Sequence, residues 1–226
     1  MLFDTHAHYD DEAFNEDRDA VLRSLAEHGI EAVVNVGASI QITKNTLELM
    51  KKYPFVYGAV GVNPSETAEL NDHLFDWLRH VSEEEKVVAI GEIGLDLYWD
   101  KTFLREQLLA FEKQVEWALE YHLPIVIHTR EAFDYIYKVL QPYKETGLTG
   151  IFHSFTGTSE EAAKLLDFPG FMIGINGVVT FKKSQLPEVL KDVPLAHIVL
   201  ETDSPYLTPV PNRGKRNESA RLKDTL

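Results

Sequence analysis

Residues 2–10 read LFDTHAHYD, and this stretch separates two ways of building an α/β protein from the chain. The apolar opening Leu2–Thr5 reads as a first strand, and His6-Ala7-His8 stands directly behind it. An open doubly wound sheet of the nucleotide-binding kind carries a glycine-rich phosphate loop at that place. No such loop follows Thr5, so a closed barrel is favoured over the open sheet.

Further along, short apolar runs alternate with longer stretches of helical spacing. The remaining predicted strands are Ala32–Val36, Val56–Val60, Val87–Gly91, Pro124–His128, Gly150–His153, Phe171–Ile175 and His197–Glu201. They read as continuous apolar runs, which suits a parallel sheet covered by helices. The helices expected between them are Asp17–His28, Ile42–Lys52, Asn71–Val81, Thr102–Tyr121, Glu131–Tyr143, Ser159–Leu166 and Ser184–Leu190. Thr102–Tyr121 is the clearest, with Leu104, Leu108, Phe111, Val115, Ala118 and Leu119 recurring at three or four. The pattern predicts one (β/α)₈ TIM barrel domain over 1–226; such barrels typically take about 250 residues. The residues after 218 are too few for a helix beyond strand eight plus its connection. A barrel lacking that helix is therefore expected, with apolar outer faces near strands one and eight exposed and prone to self-association.

Charge limits the partners. Lys plus Arg number 22 and Asp plus Glu 36, a formal net charge of −14. A globally basic nucleic-acid binder is excluded, and an acidic substrate needs a local inversion of charge by a metal or an Arg/Lys cluster. With no cysteine, disulfides, thiolate zinc sites and thiol nucleophiles are excluded. The opening MLFDTHAHYDDE lacks the apolar region of a signal peptide, and no apolar run approaches the ~18 residues of a membrane span. The expectation is a cytoplasmic protein with no membrane contact and no obligate protein partner.

Polar residues collect at strand ends. In an extended segment residues i and i+2 project to one side, so His6 and His8 can share one divalent ion. Glu92 follows VVAIG, His128 ends PIVIH, His153 ends GIFH and Asp203 follows HIVLET. Barrel active sites are built at that face from the ends of several strands. His6, His8, Glu92, His128, His153 and Asp203 are therefore the candidate metal ligands. The other histidines, His28, His73, His80, His122 and His197, fall in or beside helices or open a strand and read as surface or structural. Six ligands exceed what one catalytic zinc uses. Two divalent ions (Mg, Zn or Mn) bridged by Glu92 account for the number better, activating a water and polarising a phosphoryl or carbonyl oxygen. Asp203 is placed to accept the water's proton as well as to coordinate. Arg130 and the basic cluster Arg213-Gly214-Lys215-Arg216 favour phosphate, since guanidinium groups match phosphate oxygens bidentately. The cluster alone reads equally well as a solvated loop. Asp96 lies near the same rim, able to orient a ligand, bind substrate or cap the next helix.

The stretches DTHAHYD (4–10), GEIGLD (91–96), LPIVIHTR (123–130), HSFTGT (153–158), ETDSPYL (201–207) and RGKRNE (213–218) resemble the TatD family of metal-dependent hydrolases, within the amidohydrolase-like barrels. The resemblance is collinear over nearly the whole chain. It implies a (β/α)₈ barrel with two divalent metals, the same six ligands by matching motif position, and deoxyribonuclease activity at DNA ends. Related barrels hydrolyse amides, lactones and aminoacyl esters, so two other readings stand beside the nuclease. One is an amidohydrolase or ester hydrolase on a small acyl substrate, the other a non-catalytic metal-binding protein. The family pattern Gly-x-His-Pro is here Gly61-Val62-Asn63-Pro64. Asn63 can hydrogen-bond a phosphate but cannot carry a proton there. Asn63, Arg130, Lys215 and Arg216 are the candidate substrate-binding residues.

Overall fold

Eight parallel strands follow one another in chain order around the sheet: β1 (Leu2–Ala7), β2 (Ile30–Val36), β3 (Val56–Val60), β4 (Val87–Asp96), β5 (Ile125–Arg130), β6 (Gly150–Phe152), β7 (Phe171–Ile175) and β8 (Ile198–Leu200). The computed structural model describes residues 1–98 and 100–226. Between the strands run α1 (Arg18–Ser24), α2 (Ile40–Lys52), α3 (Asp72–Val81), α4 (Leu104–Glu120), α5 (Phe133–Leu140), α6 (Ser159–Leu166) and α7 (Leu186–Val189). This is the TIM-barrel arrangement expected from the alternating pattern. Among the described residues no helix is long and apolar enough to cross a membrane.

The ring closes at the C-terminal ends of β1 and β8. Ala7 bridges Ser204, His8 N donates to Ser204 O at 2.7 Å, and Asp203 N donates to His6 O at 2.9 Å. Asp4 holds the same seam. Its buried carboxylate accepts from Thr202 N (2.9 Å), Thr202 Oγ1 (2.6 Å) and Ser219 Oγ (2.5 Å). Burial outweighs those bonds and pushes the Asp4 pKa up to about 6. The last turn, a 3₁₀ segment at Ser219–Asp224, packs on β1 and β2 with Leu222 fully buried. Phe3 on β1 is 52% exposed and Ile198–Leu200 are half-buried, so the outer faces of these two strands carry solvent-accessible apolar surface.

The apolar core joins the strands to the helices around them. Phe111, Val115 and Ala118 of α4 are fully buried, one stripe at helical spacing. Truncating Phe111 to Ala would cost about 3–5 kcal/mol. The same helix carries two buried amides that fix loops near the site. Gln107 Oε1 accepts from Asp96 N (3.0 Å) while its Nε2 donates to Asp96 O (3.1 Å). Gln114 does the same with Val62 N (2.8 Å) and Val62 O (3.2 Å).

The observed elements differ from the expected ones where tertiary contacts override a local signal. The fourth strand does not stop at Gly91; it continues to Asp96 and pairs Gly94, Leu95 and Asp96 with His128, Thr129 and Arg130. Glycines 91 and 94 look like strand breakers, but at both the backbone of β4 lies tight against β5, Gly94 with φ +139°. A Cβ at Gly94 would lie 2.1 Å from the His128 carbonyl oxygen. Glu92 is thus inside a strand rather than behind one. His197 does not open β8 but ends a 3₁₀ turn at Leu195–His197, with its Nδ1 3.1 Å from Phe171 O. The fifth helix ends at Leu140 and gives way to a 3₁₀ turn containing Pro142, which has no N–H to continue the ladder.

Candidate metal centre

The pleat of β1 turns Asp4 and His6 to the barrel interior, and His8 continues the same side beyond the strand. His6 Nε2 and His8 Nε2 face each other at 3.1 Å. Asp203 Oδ1 lies 3.3 Å from His8 Nε2 and 3.8 Å from both His6 Nε2 and His153 Nε2. The His6 and His153 rings stack with centroids 3.5 Å apart. Asp203 reaches this point because its backbone sits at φ +58°, a left-handed conformation costly for a residue with a Cβ. Ser154 (φ +48°) and Glu131 (φ +52°), just past the ends of β6 and β5, share that strain. Strained residues cluster around the mouth of the barrel, where geometry is bought at the expense of backbone comfort.

Across the mouth, Glu92 presents its two carboxylate oxygens to different partners. Oε1 is 2.7 Å from His128 Nδ1 and 4.0 Å from His153 Nε2, and Oε2 is 3.8 Å from His6 Nε2. His128 Nε2 is in turn 3.0 Å from Asp96 Oδ2. Both ring nitrogens of His128 therefore have carboxylate partners. Among the described residues the close donor triads are His6–His8–Asp203 and His6–His153–Glu201, and neither His128 nor Glu92 belongs to either. Asp96, left open between three roles, here orients His128, and its other oxygen accepts from Tyr98 N at 3.0 Å.

Glu201 was not singled out from the sequence. It is fully buried, with Oε1 3.0 Å from His153 Nδ1 and accepting from Ser154 N at 2.7 Å. Asn176 Nδ2 donates to Ser154 Oγ at 2.9 Å and reaches the same Glu201 oxygen at 3.4 Å. A carboxylate on Nδ1 turns the Nε2 of His153 toward the centre, the usual partner arrangement of a metal-ligating histidine. Gly174 makes room for it, since a Cβ there would lie 2.3 Å from Glu201 Oε2. The sequence signal was an acid ending the apolar run HIVL, two residues before Asp203.

The electrostatics ask for a cation. Burial and the neighbouring His153 hold His6 well below its usual pKa. Burial also opposes charge on His8, His128 and His153. The carboxylates around them nevertheless raise His8 and His128 to about 9 and His153 to about 10, with Asp203, Asp96 with Glu92, and Glu201 as the respective main partners. Burial works against the Glu92 carboxylate, but His128 and the other imidazoles hold its pKa well below the usual range. A divalent ion supplies the same positive charge as these protons. Ligands at about 2.0–2.2 Å from one ion lie about 3–3.6 Å from each other. The 3.1 and 3.3 Å separations among His6, His8 and Asp203 match that spacing. The donor set therefore fits a metal, most closely on the β1–β8 side.

The candidate substrate residues line different parts of the rim. Arg130 is exposed at the end of β5, with its guanidinium carbon 3.8 Å from the Tyr98 ring centroid. Asn63 caps a 3₁₀ turn, its Oδ1 accepting from Ser65 N (3.0 Å) and Ser65 Oγ (2.9 Å), which leaves its amide nitrogen to donate. Lys215 is exposed. Arg216 makes a bidentate pair with Asp17 at 2.7 Å, donates to Ala13 O and covers the Phe14 ring. Arg213 donates to Thr208 O and lies over Phe181. His28, His73, His80 and His122 are exposed, away from the centre.

Residues 3–226 match the family model described as TatD related DNase. A metal-dependent hydrolase of Bacillus subtilis, YabD, is 38% identical over 99% of this chain and 88% of its own length. The 3'-5' ssDNA/RNA exonuclease TatD of Salmonella typhimurium is 31% identical over 100% of this chain and 88% of its own. Among solved structures, that of YjjV, a TatD homologue from Escherichia coli K12, superposes with a TM-score of 0.92 at 29% identity, covering 99% of this chain and 87% of the other.

Proposed function

The chain belongs to the TatD-related DNase family and is a metal-dependent hydrolase, and from that premise we propose that it cleaves phosphodiester bonds at the ends of DNA strands with two divalent ions. The observation that carries this reading is the convergence at the mouth of the barrel: His6 Nε2 lies 3.1 Å from His8 Nε2 and 3.8 Å from both Glu92 Oε2 and Asp203 Oδ1, and His153 Nε2 lies 3.8 Å from Asp203 Oδ1 and 4.0 Å from Glu92 Oε1. The TatD relative's name as an exonuclease supports the substrate class.

In this reading His6, His8 and Asp203 would hold one ion and His128 and His153 the other, with Glu92 placed between the two sets. Divalent ions so placed lower the pKa of a water and polarise a phosphoryl oxygen. Asp203, with one oxygen toward His8, accepts the proton of the attacking water. Glu201 keeps His153 oriented, and Asp96 does so for His128. Arg130 neutralises the phosphate from the end of β5, with Asn63 Nδ2 donating from the loop after β3 and Lys215 adding charge at the rim. Arg216 reaches a phosphate only by leaving Asp17.

Single strands labelled at the 3′ or the 5′ end, digested with each divalent metal and with chelator, test the reading. Stepwise loss of terminal nucleotides that needs metal and is abolished in Glu92→Ala is the expected result. Hydrolysis of p-nitrophenyl acyl esters but of no phosphodiester would reassign the enzyme to carbonyl substrates. No turnover of either by metal-loaded protein would leave a metal-binding protein.

A further inference from the structure

A cavity of about 430 Å³ opens beside His153, between the ends of β5 and β6 and the first turns of α5 and α6. His153 is one of its lining residues, so the cavity adjoins the metal centre on the β6 side. We propose that it is the seat of the terminal nucleobase, and that the base, rather than the phosphate chain, anchors the strand end. This rests on the phosphodiester reading above.

Size, walls and charge point the same way. The volume lies in the range of small-ligand pockets. Phe155 and the half-exposed Tyr135 give it aromatic surface, on which a base can stack in the sequence-tolerant way seen at single-strand sites. Its carboxylates include Glu131 and Asp134 at the outer edge, and among its described lining residues there is no lysine or arginine. A phosphate would be repelled there. An uncharged ring bearing N–H donors would not, because carboxylates only accept. Thr129, also among the lining residues, has a buried hydroxyl with no hydrogen-bond partner among the described residues. Arg130 leaves the same strand end one residue further on, so phosphate and base functions sit side by side without sharing groups. A net charge of −14 makes this division useful, since stacking contributes affinity that backbone contacts on an acidic protein cannot.

Two measurements test the proposal. In the first, deoxyadenosine is titrated into the protein without added metal and followed by saturation-transfer NMR, with 2-deoxyribose as control. The nucleoside should bind at least ten-fold more tightly than the sugar. Tyr135→Ala and, independently, the volume-near Phe155→Leu should each weaken it about five-fold or more. In the second, metal-loaded protein digests strands whose terminal nucleotide either carries its base or is abasic. Loss of the base should raise KM about five- to hundred-fold, and Tyr135→Ala should shrink that difference. Cleavage that ignores the base would overturn the pocket and leave the nuclease reading intact. Tyr135-dependent nucleoside binding in a protein that cleaves no strand would do the reverse. Failure of both would remove both.

Discussion

The two sides of the barrel mouth are built differently. On the β1–β8 side, His6, His8 and Asp203 point donor atoms at each other at 3.1–3.8 Å, and backbone bonds across the seam hold them there. On the β4–β5 side, Glu92, His128 and Asp96 form a hydrogen-bonded chain in which both nitrogens of His128 are satisfied, at 2.7 and 3.0 Å. On the first side the donor spacings of 3.1 and 3.3 Å already match those of ligands on one ion. The second must give up a hydrogen bond before His128 can take a cation. Two ions should therefore bind unequally, the tighter one at the seam. Glu92 couples the halves, because one carboxylate spans them.

The largest effect expected is that of Glu92→Ala. Removing the coupling carboxylate should cost about 10³-fold or more in kcat, roughly 4 kcal/mol of barrier, with circular dichroism unchanged. Activity within a few-fold of the parent in verified metal-free buffers would show that the halves work independently. Next comes a contrast that bears on the inequality itself. His8→Ala should abolish the tighter metal site, and His128→Ala only the weaker, as read by calorimetric titration with Mn²⁺. The supporting carboxylates come third. Glu201→Gln and Asp96→Asn should each lower metal affinity about 10–100-fold, since each releases the ring that it orients. If Asp96→Asn tightened binding instead, the β4–β5 chain would be a competitor for the metal rather than its support.

The seam also depends on a buried acceptor for its stability. Asp4→Ala strands Thr202 and Ser219 without their buried acceptor and should destabilise by about 2–3 kcal/mol in urea. The smallest effect is at the outer rim. Arg216 holds the Asp17 carboxyl below its ordinary 3.8, so the pair contributes stability above that value and loses it as pH falls through the lowered pKa. The pair is partly exposed, so Arg216→Ala should cost about 1 kcal/mol or less at pH 7 and nothing once the acid is protonated. An equal cost at pH 7 and well below pH 3.8 would assign it to stacking on Phe14 instead.

The same contrast explains what could be read from the chain. His6-x-His8 and the runs ending in His128 and His153 were legible because each is apolar until one ligand type appears, and the barrel follows from their repetition. The long β4 was not, because Gly91 and Gly94 resemble a break until β5 is seen packed against them. Glu201 was hidden by its neighbour Asp203, and its role exists only through His153, 48 residues earlier in the chain. Arg216 looked like a phosphate ligand by composition, yet its guanidinium lies against Asp17, 199 residues away. Positions whose chemistry depends on one strand alone were readable; those defined by a partner across the barrel were not.

The central claim is a two-ion centre with unequal halves. Titration of the metal-free protein with Mn²⁺, followed by calorimetry and by cleavage of an end-labelled single strand at each step, tests it most directly. The account predicts two binding events, the first lost in His8→Ala, with strand cleavage rising only as the second fills. A single event that supports full cleavage and survives His8→Ala would contradict it.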